Sequence, residues 1–265
     1  MANTLLNQIF YNINKFDVDP NLCEKYMLLI DYVNNVTPIE KAPISIVEEV
    51  EKPIIKKEPK FFSPKKDDKL FWCIYTLSIG ESEYYMIGNK YKNAEIDEKK
   101  QIMEYISVNR NTIKNIANNN GIKISNVKMQ MIQSDLLTDK TTTWFIFWIM
   151  CVFYKVNVLL IQDTIYMKFN VDNEYKTYLF VRDDHFHVSF DNTELNSSQI
   201  NKLVENKLEI DPFNDKILKG VSTYKTTELE NMTQVLNVVP ESEKPKKSDY
   251  YETVISKLVS MKIQN

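Results

Sequence analysis

The stretch TTTWFIFWIMCVFYKVNVLLIQDTIYMKF, residues 141–169, decides the fold class. Its first half, Trp144 to Tyr154, is an unbroken apolar run of 11 residues. A membrane span needs roughly 20, so this run predicts a buried helix, opened by threonine caps. Val156 to Ile161 (VNVLLI) follows as a short β-branched strand, and Ile165 to Phe169 as the next one. Working outward, Tyr175 to Val181 is a third strand, Arg182-Asp183-Asp184 a turn, and His185 to Phe190 a fourth strand. Gln199 to Leu208 reads as a short helix. Upstream, Asp67-Asp68 caps a helix running through Leu70, Phe71, Ile74 and Leu77 to Gly80, a natural stop. Residues 95–118 read as helical, with Ile96, Ile102, Tyr105, Ile106 and Ile113, and Asn118-Asn119-Asn120-Gly121 ends that unit. The expected fold is therefore α+β: helices packed on one mainly antiparallel sheet of about four strands, over residues 67–224.

Outside that core the composition changes. Residues 1–37 predict a helical hairpin, with Leu5, Leu6, Ile9, Phe10 and Ile13 on one stripe and Asp19-Pro20 starting the second helix. Residues 38–66 carry Pro38, Pro43, Pro53, Pro59 and Pro64 among lysines and glutamates, the composition of an extended linker. Residues 225–265 predict a two-helix module, Thr227 to Leu236 and a helix capped by Ser248, separated by a Pro/Lys/Glu loop.

The whole chain has 265 residues and is 43% hydrophobic, which excludes a fully disordered polypeptide. Only four glycines argue against glycine-rich phosphate loops and a dinucleotide-binding fingerprint. A net charge of −3 does not announce a nucleic-acid binder. Arg110 and Arg182 are the only arginines, while lysine, asparagine and isoleucine abound, the mark of an AT-rich genome. Three cysteines without a CxxC pair make no disulfide framework, so a reducing compartment is expected. The opening MANTLLNQIFYNINKF lacks a basic n-region and a small-residue cleavage site and does not read as a signal peptide.

The chemistry concentrates in two places. His185 and His187 are the only histidines, two apart on one expected strand, so that both point to one face. Cys73, in DDKLFWC, falls just inside an expected helix N-terminus, whose partial positive charge favours a thiolate. The competing reading of Cys73 is a packed structural cysteine between Trp72 and Ile74. Cys151 lies in the most apolar helix and reads as core, and Cys23 as packing. A zinc site on His185 and His187, with Asp183 or Cys73, lacks a second ligand cluster, so neither a metal nor a cofactor is expected. A cysteine heading a helix, then an apolar helix, strands and a late histidine is the order of a papain-like arrangement.

In this order LFWCIYTL, TTTWFIFWIMCVFY, VNVLLI and DDHFHVSF resemble the ovarian-tumour (OTU) family of cysteine peptidases, over about residues 67–192. The resemblance implies Cys73 as nucleophile, His185 as general base and His187 in the orienting position, where the family usually has Asn or Asp. Asp183, Asp184, Asp191 and Asn192 are the alternative orienters. The family's Asp-Gly-x-Cys segment is missing, and Asp68 or Asp67 stands in as the polar group near the oxyanion site. It implies a thiol protease of deubiquitinase type acting on ubiquitin, a ubiquitin-like protein or another polypeptide. With the composition, it also implies a large DNA virus as source and the host cytoplasm or the virion as location. The alternative expectation is a papain-like scaffold without catalysis, serving as a virion or other interaction protein beside other virion proteins. No membrane association is expected. The tail, ELENMTQVLNV and DYYETVISKL around a lysine-rich loop, resembles SAP or Rho N-terminal modules. That implies weak nucleic-acid contact through Lys244, Lys246 and Lys247.

Overall fold

The computed structural model describes residues 61–138, 141–183, 187–214 and 216–261. The expected N-terminal hairpin, Cys23 and most of the linker lie outside these residues. The described chain is α+β, as expected, but its sheet is larger and mixed. Six strands, β1 (Phe61–Phe62), β2 (Asn157–Gln162), β3 (Ile165–Phe169), β4 (Thr177–Arg182), β5 (Val188–Glu194) and β6 (Leu208–Glu209), lie in the order β1-β5-β4-β2-β3-β6. The pairs β1/β5, β4/β5 and β2/β3 are antiparallel; β2/β4 and β3/β6 are parallel.

β2 holds the centre because both of its faces are covered. Val158 and Leu160 join the main core, while Leu159 and Ile161 join a second, smaller cluster with Tyr166 and Leu179. A strand buried on both faces reads as a continuous apolar run rather than an alternation, which is why VNVLLI stands out in the sequence. The smaller cluster is closed by Ile200 and Leu203 of α7 (Ser197–Val204).

The main core receives the helices α1 (Lys69–Ile79), α2 (Glu81–Ile87), α3 (Tyr91–Val108), α4 (Arg110–Asn119), α5 (Asn126–Thr138) and α6 (Trp144–Tyr154). Asp68 caps α1 by accepting from the Phe71 N–H at 3.2 Å. Gly80 ends it with φ 98°, a conformation that residues with a Cβ rarely adopt. Thr143 caps α6, whose residues Phe147 to Cys151 are fully enclosed, so it is a buried helix. The 95–118 periodicity divides at Asn109, whose N–H closes α3 on the Tyr105 carbonyl.

Three boundaries differ from expectation. The last residues of the proline-rich stretch already belong to the fold: Phe62 and Pro64 are buried, and β1 pairs Phe62 with Phe190. The helix α5 was not expected, although Met129, Ile132 and Leu136 bury one of its faces. The C-terminal helices α8 (Thr226–Val235) and α9 (Lys247–Ser260) are not a separate module, because Leu236, Val254 and Leu258 sit in the same core as α6. Gln162 at the end of β2 also donates to the Met261 carbonyl at 3.0 Å. Among the described residues, no helix is long and apolar enough to cross a membrane.

Candidate functional site

The expected constellation begins at α1. Cys73 is the fifth residue of that helix, in its second turn, and its side chain points inward rather than to the N-terminal N–H groups. The residue has no solvent exposure, and its Sγ donates to the Val188 carbonyl at 3.4 Å. Burial pushes the thiol well above its ordinary range and the nearby Asp68 carboxylate adds to this, while Lys69 opposes it. The environment therefore favours the neutral thiol, the reverse of what an attacking sulfur needs. The expectation of a helix-end thiolate is corrected here: five consecutive apolar residues, Leu70, Phe71, Trp72, Cys73 and Ile74, are all buried.

The structure does bring α1 against the strand that follows the histidines. Val188, the acceptor for Cys73, opens β5. His187, however, stands just outside the strand, on the β4–β5 connection, where its backbone N–H donates to Asp183 Oδ1 at 2.8 Å. The Asp183 N–H donates back to the His187 carbonyl at 3.0 Å. The imidazole is 64% exposed, with Nδ1 3.8 Å from Asp183 Oδ2. His187 is thus a surface group beside Asp183, while Cys73 is enclosed. His185, the expected base, and Asp184 lie outside the described residues. Asp191 accepts from the Thr193 N–H at 3.0 Å on the far part of β5, facing the register of β1 rather than the turn.

Asp68 has a structural occupation. Its Oδ1 caps α1 and its Oδ2 accepts from Thr142 Oγ1 at 2.7 Å, a buried bond that ties the start of α1 to the start of α6. Both oxygens are committed, so it does not serve as a free polar group near an oxyanion. Burial raises its pKa, against the opposing hydrogen bonds from Thr142 and the Phe71 N–H. Because the folded value lies above the unfolded one, ionisation costs stability. Asp68→Asn is expected to gain on the wild type as pH rises from below 3.8 through the raised folded value. Urea midpoints of both proteins from about pH 3 to 7 measure this; a gap that does not change with pH contradicts it.

Sequence reasoning missed Arg182. It ends β4 opposite Val188, is buried, and places its guanidinium carbon 5.5 Å from the Trp144 ring centroid. This contact ties the end of β4 to the first residue of α6. The scarcity of arginine was the available clue, since a guanidinium tolerates a partly buried, stacked place better than an ammonium.

Cys151 is core, fully enclosed in α6. Among the described residues no group of three His, Cys, Asp or Glu is placed to hold a metal ion. In the tail, Lys244, Lys246 and Lys247 are flanked by Glu241 and Glu243 on one side and Asp249 on the other within nine residues, so the local charge cancels. The Lys246 N–H donates to Asp249 Oδ2 at 2.9 Å, which caps α9 and holds the Asp249 carboxyl below its ordinary value. The segment is a charge-balanced helix start rather than a basic stripe.

No family model, no curated protein and no solved structure matches this chain.

Proposed function

We propose that this chain is a non-catalytic α+β scaffold of papain-like, OTU-like descent that works through its surface as an interaction or structural protein. A place in the virion of a large DNA virus is in keeping with its composition. The observation that carries this reading is the state of Cys73: fully enclosed, hydrogen-bonded to the Val188 carbonyl, and held protonated by burial. A thiol in that setting contributes packing, as free buried cysteines usually do. Exposed Tyr85 and Met86 of α2 and exposed Phe61 of β1 are apolar side chains open to solvent, of the kind that interaction proteins use for contact.

A second reading, a deubiquitinase-like cysteine peptidase with Cys73 and His185, is favoured by one observation. The helix bearing Cys73 lies against the first residue of the strand that directly follows both histidines in the chain. For that reading to operate, the sulfur must leave the Val188 carbonyl and reach water.

A ubiquitin bearing a C-terminal electrophile separates the two. The scaffold reading expects no covalent adduct with wild type or Cys73→Ala, both showing native circular dichroism. A native thiol assay should likewise leave Cys73 unmodified until denaturant is added. An adduct formed by wild type and lost in Cys73→Ala overturns the scaffold reading and installs the peptidase.

A further inference from the structure

Away from Cys73, which is not among its lining residues, the described chain carries a cleft of about 710 Å³. The turn after α4 and the first residues of α5 form one wall, the 209–214 segment forms the other, and the end of β3 lies between them. This volume is within the roughly 300–1,000 Å³ of small-ligand sites.

Two features of the lining have chemical direction. The first is aromatic. Half-buried Phe145 and Phe213 meet with centroids 5.2 Å apart and planes tilted by 59°. Phe213 is braced from the core by Phe169 at 5.9 Å and Trp148 at 6.3 Å, so its position is fixed before anything binds. The second is charge. Lys128 Nζ stands 4.3 Å from the Phe145 centroid, and Lys123 lines the same wall from the turn after α4.

The carboxylates of the cleft are already engaged. Glu209 receives Lys168 at 3.3 Å and the Tyr166 hydroxyl at 2.8 Å. Asp211 receives the Phe213 N–H at 2.9 Å and Asn214 Nδ2 at 2.8 Å. Lys123 and Lys128 have no carboxylate partner among the described residues.

The geometry points to a binding site for a small molecule that joins a flat ring to one phosphate, a nucleoside monophosphate by class. The phenyl rings offer stacking surface, and such contacts are tolerant of ring identity. The two ammonium groups offer point charges that take phosphate oxygens without demanding a bidentate geometry. Glu209 and Asp211 in the same walls disfavour a longer polyphosphate, which would bring further negative charge against them. Such a site requires no reaction at Cys73 and gives the scaffold a ligand-dependent state.

Calorimetric titration of the full chain with adenosine monophosphate, adenosine and inorganic phosphate tests this. The monophosphate is expected to saturate with a Kd on the order of 0.1–1 mM, and adenosine and phosphate each to bind at least about tenfold more weakly. Lys123→Gln/Lys128→Gln, at exposed and half-exposed positions, is expected to weaken the monophosphate about tenfold with an unchanged melting temperature. Tryptophan emission should change with the same midpoint, because Trp148 touches Phe213 and its indole N–H donates to Asn170 at the cleft. No saturation by about 10 mM monophosphate overturns the proposal. Equal affinity for adenosine or for phosphate alone overturns it too, as does unchanged binding by the double variant.

Discussion

Trp148→Ala is expected to lower stability by about 3–5 kcal/mol, a large share of the roughly 5–15 kcal/mol that holds a domain folded. Trp148 has no solvent exposure and sits mid-way along α6, the helix on which the main core is built. Its ring meets Phe213 edge to face and its Nε1–H reaches the Asn170 carbonyl at 2.9 Å, so truncation removes packing and a directional bond together. No smaller side chain nearby can refill an indole-sized void, since Phe147, Ile149 and Met150 are themselves fully enclosed. The melting temperature should fall by roughly 6–20 °C at 2–4 °C per kcal/mol. A loss below about 1 kcal/mol in urea unfolding would mean that α6 is not the centre of the core.

Asn157→Leu is expected to cost about 2–4 kcal/mol by a different route, stranded polar groups rather than a void. Asn157 opens β2 with its side chain buried. Its Oδ1 accepts from the Val171 N–H at 2.7 Å and the Asp172 N–H at 3.3 Å. Its Nδ2 donates to the carbonyls of Asp172 at 2.7 Å and Tyr175 at 2.9 Å. One side chain thus clamps the loop that returns the chain from β3 to β4 and fixes β4 parallel to β2 in register. Leucine matches asparagine in size but satisfies none of the four partners. Asn157→Asp keeps both acceptor contacts but turns a carboxylate oxygen toward the Asp172 and Tyr175 carbonyls in a buried place, so it too should destabilise. If leucine proves as stable as wild type in urea midpoints, the loop is not held by this residue.

What could be read from the sequence follows from which physical force dominated locally. α6 and β2 were readable because burial on all sides leaves no polar residue to confuse the pattern. α1 was readable from its ends, Asp68 and Gly80. α5 was not, because Val127, Met131 and Leu137 are exposed and interleave with the buried Met129, Ile132 and Leu136, which blurs any amphipathic stripe. β1 hid in a proline- and lysine-rich context whose composition speaks for a linker, yet Phe62 finds Tyr84 and Phe190. At the candidate site α1 does reach β5. The expected helix-end thiolate did not follow, because a helix end stabilises an anion only where the side chain faces the free N–H groups, and Cys73 lies a turn further on, facing inward. The alternation in HFHVSF likewise implied a strand at His187, whereas Asp183 captures the His187 N–H and β5 begins at Val188.

At one edge of the sheet, β6 (Leu208–Glu209) is two residues long and pairs only with Ile165 and Tyr166 of β3. A neighbouring molecule seeking to prolong the ladder from β6 itself would find two residues of backbone to zip onto, a poor template for fibril growth from that strand.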